Sequence, residues 1–263
     1  MVALLSLSSL ATAGPWGRPR GGLYAKMGYG YLRATELATP DGTIATIPAF
    51  EKNEATFYAA YGLIDTLTLT VDAIAYRGSR IEEFDSAGGV GDLRLGAQSS
   101  LGRSGPWLFA ARGLVQLPTG DVAKGEGLLP TGSGVWEGEL CLSVGRSLAG
   151  GRGWAFAEAG PQLRGGGLRD GLVYGAQVGV TIRSWLALAW NLRGVQPWDT
   201  SPGDVSAASA AGLGDGVTYL AFGPSVFLTV RPGLGVQADL DWPAHTRNIA
   251  RGPTLRVGLF VIR

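Results

Sequence analysis

The sequence predicts an all-β fold, a transmembrane antiparallel up-and-down β-barrel of about 12 strands with short periplasmic turns and long extracellular loops. Three observations predict it: apolar and polar residues alternate with period two along most of the chain, connections alternate between short and long, and tryptophans gather at strand ends.

The alternation is clearest over 66–77, where Leu67, Leu69, Val71, Ala73 and Ala75 share one face, and Thr68, Thr70, Asp72 and Tyr76 lie largely on the other. Successive strand side chains point to opposite faces, so this pattern is a strand with one apolar side. It recurs over 92–101, where Leu93, Leu95 and Ala97 oppose Asp92, Arg94 and Gln98, and over 107–117, where Trp107, Phe109, Ala111 and Val115 oppose Arg112 and Gln116. Over 135–146, Trp136, Leu140, Leu142 and Val144 oppose Glu137, Glu139 and Ser143; over 171–183, Leu172, Tyr174, Ala176, Val178 and Val180 oppose Gln177, Thr181 and Arg183. Near the end, Leu234, Val236, Ala238 and Leu240 oppose Gln237, Asp239 and Asp241, and Leu255, Val257, Leu259 and Val261 oppose Thr254, Arg256 and Gly258. Less regular members lie at 23–33, 54–63, 154–164, 185–196 and 217–230. That makes twelve strands, each near the length that crosses a bilayer at a tilt of about 45°, and an even number suits a closed bacterial barrel.

The connections near 64–65, 102–106, 149–153, 183–184 and 231–233 are tight and rich in Gly, Pro, Ser and Asp. The others, 34–53, 78–88, 118–134, 165–170, 197–216 and 243–252, are mostly long and polar. Short turns then face the periplasm, and both termini lie on that side.

Period two does not say which face is wet, because soluble barrels and sandwiches also alternate. A twelve-strand barrel, however, encloses a lumen wider than the roughly eight-strand case that side chains can fill. Trp107 and Trp185 by short turns, and Trp136, Trp198 and Trp242 by long loops, suit interfacial girdles, whereas Trp154 has lumenal parity. An Arg aimed at lipid near the midplane costs roughly 2–4 kcal/mol, so the in-strand arginines are expected to point inward. The lumenal set is therefore Asp72, Asp92, Arg94, Arg112, Glu137, Glu139, Glu158, Arg164, Arg183, Arg193, Asp239, Asp241 and Arg256.

Composition sets the remaining bounds. Only 16 % of the 263 residues are charged and the formal net charge is +1, with no basic patch for nucleic acid. The 43 glycines follow no Gly-X-Y period and the hydrophobic fraction is 46 %, which excludes collagen and disorder. Residues 1–13 carry a short apolar run ending in Ala11, Thr12 and Ala13, which reads as a signal peptide without the usual preceding basic residue. Residues 14–22 are then a periplasmic lead and 23–263 the barrel.

Three segments carry a family resemblance: Val90-Gly91-Asp92-Leu93-Arg94-Leu95-Gly96, Gln116-Leu117-Pro118-Thr119-Gly120-Asp121 and Gly132-Ser133-Gly134-Val135-Trp136-Glu137. In order and spacing they resemble the outer-membrane proteins named for a component of the phenol meta-cleavage pathway, distant relatives of FadL-type channels for hydrophobic compounds. The resemblance covers 88–137 by motif and the rest by architecture. It implies a transporter-like role for small, often aromatic molecules. One departure is the last strand, which ends in Arg263 where an aromatic is usual.

Other chemistry finds little support. His245 is the only histidine; a Ser-His-Asp hydrolase would hold it against a serine and a carboxylate, and no serine sits in a recognisable elbow. Cys141 is the only cysteine, so no internal disulfide or cysteine zinc cage is available within one chain. Asp199, Asp204 and Asp215 are read as solvated loop charge ahead of a loose calcium site. The glycines at 88, 89 and 91 lead into a strand and lack the pattern of a nucleotide loop. No catalytic residue, metal or cofactor is expected.

Two functions follow. In one, opposed acidic and basic rows line an open pore that passes small solutes passively across the bacterial outer membrane. In the other, the same groups neutralise one another, close the lumen and leave a structural anchor or interaction module. Expected partners are outer-membrane lipid and the barrel-insertion machinery, together with a small solute in the first case and envelope proteins in the second.

Overall fold

The computed structural model describes residues 14–122, 129–203 and 205–263, so the signal-peptide expectation lies outside the described residues. The strands are β1 (Leu23–Ala38), β2 (Ile44–Ile64), β3 (Leu67–Ile81), β4 (Asp85–Gly89), β5 (Leu93–Ser104), β6 (Trp107–Leu117), β7 (Glu137–Leu148), β8 (Gly153–Arg164), β9 (Gly171–Arg183), β10 (Leu186–Pro197), β11 (Thr218–Arg231), β12 (Leu234–Arg247), β13 (Ile249–Arg251) and β14 (Thr254–Ile262). Short β4 folds back on β3 and short β13 lies along the outer part of β1; the other twelve form a closed antiparallel barrel.

Closure comes from β1, which pairs with β2 on one side and with β14 on the other. The seam is finished by reciprocal backbone bonds: Leu23 N–H donates to the Arg263 carbonyl (2.9 Å) and Arg263 N–H to that of Leu23 (2.8 Å). A closed ladder leaves no edge strand with unpaired backbone groups, which is the condition for a sheet to sit in hydrocarbon.

Alternation sets the facing. Met27, Leu142, Leu259, Leu140 and Trp190 are among the large apolar side chains exposed on the outer wall, whereas Asp92, Glu137, Gln116, Gln162, Asn191, Asp239 and Asp241, on the opposite parity, are buried. That is the reverse of a water-soluble barrel. Trp107, Trp136, Trp185 and Trp198 are exposed at strand ends, Trp242 is exposed within β12, five residues short of its end, and Trp154 is buried inside.

Within the strands of the long-loop half the structure departs from the sequence reading in two places. Segments 34–53, 78–88 and 243–252, expected as loops, are largely strand: β1 and β2 run on to a tight turn at 39–43, β3 turns back through Glu83 (φ 65°) into β4, and β12 reaches Arg247 before Asn248 (φ 53°) turns the chain into β13. Beyond the bilayer a ladder needs no apolar face, so these polar extensions lack the alternation that marks a membrane strand. Second, Tyr76 does not share the inner face with Asp72. The register shifts from Ala55 opposite Tyr76 to Thr56 opposite Ile74, a bulge that flips parity, turning Tyr76 outward and Arg77 into the lumen.

Apolar packing inside the barrel gathers at its two ends. Tyr24, Trp154, Phe156, Phe227 and Phe260 form a cluster at the short-turn end, and Ala34, Phe50, Leu129, Ala211 and Ala250 form another under the long loops. Polar and charged side chains occupy the lumen between them.

If the outer wall faces lipid, Leu142→Arg on the exposed face of β7 should destabilise the membrane-folded state by about 2–4 kcal/mol. Urea titration of the barrel refolded into vesicles, read by its heat-dependent gel shift, measures this; an unchanged midpoint would contradict the facing.

Candidate functional site: the lumen

Inward positions on neighbouring strands bring opposite charges together. The Arg94 guanidinium lies 3.9 Å from Glu139, Arg112 lies 3.6 Å from Glu139 and 3.4 Å from Glu158, and Arg164 lies 3.0 Å from Glu137. On β12, Asp241 serves two cations, Arg193 of β10 at 3.3 Å and Arg256 of the adjacent β14 in direct hydrogen bond. Asp72 stands opposite Arg94 in the β3–β5 register. Pairing of this kind is a condition of burial more than a source of stability, because desolvation offsets most of the attraction.

Towards the short-turn end the charges give way to a chain of hydrogen bonds that crosses strands β8 to β12 and returns to β1. Trp154 Nε1 donates to Gln177 (2.6 Å), Gln177 to Asn191 (2.7 Å), and Asn191 to Ser225 (2.7 Å). Ser225 donates to Asp239, which also accepts from Gln237 (2.8 Å), and Lys26 donates to Gln237 (3.4 Å). Each member satisfies the next, as a buried polar network must.

This belt adjoins the short-turn aromatic cluster, into which residues 14–22 insert. The stretch read as a periplasmic lead turns into the short-turn end of the barrel, with Gly14, Pro15 and Arg18 buried and Pro19 to Gly21 exposed at the rim. The Gly14 carbonyl accepts from Gln98 (3.0 Å), Arg18 N–H donates to the Thr68 hydroxyl (2.8 Å), and Trp16 packs edge-on to Phe156 with centroids 6.1 Å apart. The Arg18 guanidinium stacks over Tyr24 at 5.0 Å, and Tyr24 stacks on Phe260 at 6.1 Å. Gly62 makes room for the insertion, since a Cβ there would meet the Pro19 carbonyl oxygen at 2.0 Å. The segment is a plug: its inner part, Gly14 to Arg18, is held by a few polar bonds and ring contacts, while Gly21 and Gly22 are tied to β2 by reciprocal backbone bonds with Gly62 (2.8 and 2.9 Å).

The other end is narrowed by loops, and here the three sequence motifs meet. The Asp92 carboxylate accepts from the backbone N–H of Gly120 (3.1 Å) and of Ser133 (2.7 Å) and from the Gln116 amide (3.3 Å). Thr119 and Thr131 hydroxyls donate to the carbonyls of Gly91 and Val90, each at 2.8 Å, and Arg77 donates to the Thr131 carbonyl (2.8 Å). A Cβ at Gly132 would meet Asp92 Oδ1 at 2.4 Å, which is why glycine stands there. The motifs thus staple the β6–β7 connection to the wall of β5. The β10–β11 connection carries a four-residue helix, α1 (Ala207–Ala210), and dips inward, its carbonyls at Ala211, Leu213 and Gly214 accepting from Lys52 (3.2 Å) and Arg164 (3.3 and 3.1 Å).

Between plug and loops lie three adjoining cavities of about 170, 290 and 260 Å³, all lined by Arg94. Arg193 and Tyr219 line the first two, and Arg256 and Leu213 the last two.

Of the residues expected in the lumen, Arg94, Arg112, Glu137, Glu139, Glu158, Arg164, Arg193, Asp241 and Arg256 are brought into ion pairs. Asp92 is spent on the loop staple and Asp239 on the polar belt. Arg183 is the exception: at the end of β9, beside the tight turn to β10, it is exposed and bonds only weakly to the Ile182 carbonyl (3.4 Å). The sequence alternation gives it lumenal parity, but the register shifts from Thr181 opposite Ala187 to Arg183 opposite Leu186, a bulge that takes it off the inner face. Lys26, Lys52, Glu54 and Arg77 were not expected, and Arg77 pairs with Glu54 at 2.8 Å. Glu54 shares parity with Tyr58 and was legible; Arg77 was hidden by the bulge and Lys52 by the polar extension of β2. His245 is exposed, Cys141 is buried and accepts from Arg112 (3.7 Å), and among the described residues no cluster of His, Cys, Asp and Glu is arranged to hold a metal.

No family model and no curated protein matches the chain. Solved structures do. An outer-membrane channel from Pseudomonas putida F1 superposes with a TM-score of 0.70 at 16 % identity, covering 95 % of this chain and 98 % of that one. The KdgM porin gives 0.54 at 6 % identity over 90 % and 98 %, and the NanC porin 0.55 at 8 % over 91 % and 98 %. At these identities the likeness is one of fold: the chain has the barrel architecture of outer-membrane channels and porins.

Asp92→Ala leaves two backbone donors without their acceptor, a cost of about 1–3 kcal/mol confined to the loop. Limited proteolysis should cut the variant within 118–135 at protease levels that spare the parent while the barrel stays folded; equal resistance would contradict the staple.

Proposed function

We propose that this barrel is a passive outer-membrane channel for small molecules, with its short turns and both termini in the periplasm and residues 14–22 as a removable plug. The observation that carries the reading is the lumen itself: cavities lined by ionised side chains, with residues 14–18 turned into the short-turn end beyond them and held there by few polar bonds. Side chains of a twelve-strand wall do not fill such an interior, and a barrel needed only as an anchor has no use for cavities of this size. The outward apolar rows and exposed tryptophans suit a bilayer on the outside, and the motif resemblance points to a transporter-like role. The lining positions on this reading are the inward charges from Asp72 and Arg94 to Asp241 and Arg256, with Arg183 outside the path. Passage requires that the plug move and needs neither cofactor nor energy input.

A second reading has one observation in its favour. Both ends of the lumen are occupied by the chain's own residues, as in a closed anchor that presents its loops to envelope proteins.

Planar bilayers separate the two. Full-length barrel should give small discrete conductance steps, and deletion of residues 14–20 behind an intact leader should raise the step size several-fold. Silence from both proteins would overturn the channel and favour the anchor.

A further inference from the structure

The acidic and basic groups around the mid-lumen cavities are similar in number, yet they are not equally presented. Side chains of Arg94, Arg193 and Arg256 are 37, 41 and 36 % exposed, whereas those of their partners Glu139 and Asp241 are 8 and 5 % exposed. In these pairs the carboxylates are sunk against the wall and the guanidinium groups stand in front of them, whereas Arg77 lies deeper than its partner Glu54. Stoichiometry adds to this: Asp241 alone answers both Arg193 and Arg256, and Glu139 sits at 3.9 and 3.6 Å from Arg94 and Arg112 without a short hydrogen bond to either. A solute in the cavity meets cationic forks with donors to spare. Guanidinium forks match carboxylate geometry in a way a point charge does not. The remaining lining includes Tyr219 and Leu213, with Ile74, Val173 and Val195 nearby, so an apolar body is accommodated next to the charge.

We infer that the mid-lumen is a binding site for a small organic carboxylate with an apolar body, held by Arg94, Arg193 and Arg256. This rests on the channel reading for its biological use, but binding itself does not require conduction. A buried positive potential of this kind raises the local concentration of anions and biases passage towards them.

The test uses the detergent-purified full chain and two planar probes of the same size, benzoate and neutral benzamide, by titration calorimetry, alongside bilayer recordings in a KCl gradient. Benzoate should bind and benzamide should not; Arg193→Gln, which leaves Asp241 paired with Arg256, should weaken benzoate by about tenfold, the worth of one charge-assisted hydrogen bond. Arg183→Gln, at a position outside the lumen, should leave binding unchanged. In bilayers the reversal potential should report anion preference, reduced in Arg193→Gln. Current without anion preference, together with equal or no binding of the two probes, would overturn the carboxylate site and leave the channel standing. Selective benzoate binding with no current from either the full chain or the deletion of residues 14–20 would support the site and overturn the channel.

Discussion

A closed ladder of twelve strands encloses more space than its own inward side chains can fill, and most of the interior follows from that constraint. Apolar residues cannot close the gap from the wall, so the chain closes it with itself: the segment 14–22 from one end, the stapled β6–β7 connection and the inward β10–β11 connection from the other. What remains between them is cavity lined by polar and charged side chains, and such an interior tolerates ionised groups that an apolar one would forbid. Their pairing keeps the charge balanced without neutralising every donor.

The wall and the lumen obey one alternation but are selected by different physics. Outward positions need only be apolar, which explains the mixture of Leu, Val, Ala, Tyr and Trp there. Inward positions are selected pairwise across strands, as the chain from Trp154 through Gln177, Asn191 and Ser225 to Asp239 shows. A change at one of these leaves a partner stranded, while a change outside usually leaves none.

This difference also explains how much could be read from the chain. Strands such as β6 and β9 were legible to the residue because lipid demands strict alternation, and Glu137, Glu139, Arg112 and Arg193 fell into the lumen by parity alone. Above the bilayer that demand lapses, so the extensions of β1, β2, β3 and β12 looked like loops. Local events were invisible too: a single bulge exchanged Tyr76 and Arg77, and a second, at the end of β9, took Arg183 off the inner face. The plug could not be foreseen, since Pro15, Trp16 and Arg18 have no period and their partners lie on distant strands. The three motifs signalled a family resemblance, and the structure gives the physical reason for their residue types: one carboxylate, Asp92, gathers the backbone of two glycine-rich turns.

The facing of the two rows is most directly measured by quenching with bromine-labelled lipid, using versions of the barrel that keep one tryptophan each. Trp190, on the outer wall, should be strongly quenched and insensitive to aqueous iodide, while Trp154, in the lumen, should escape the lipid quencher. Quenching of Trp154 by lipid with Trp190 open to iodide would mean that the barrel is the other way out.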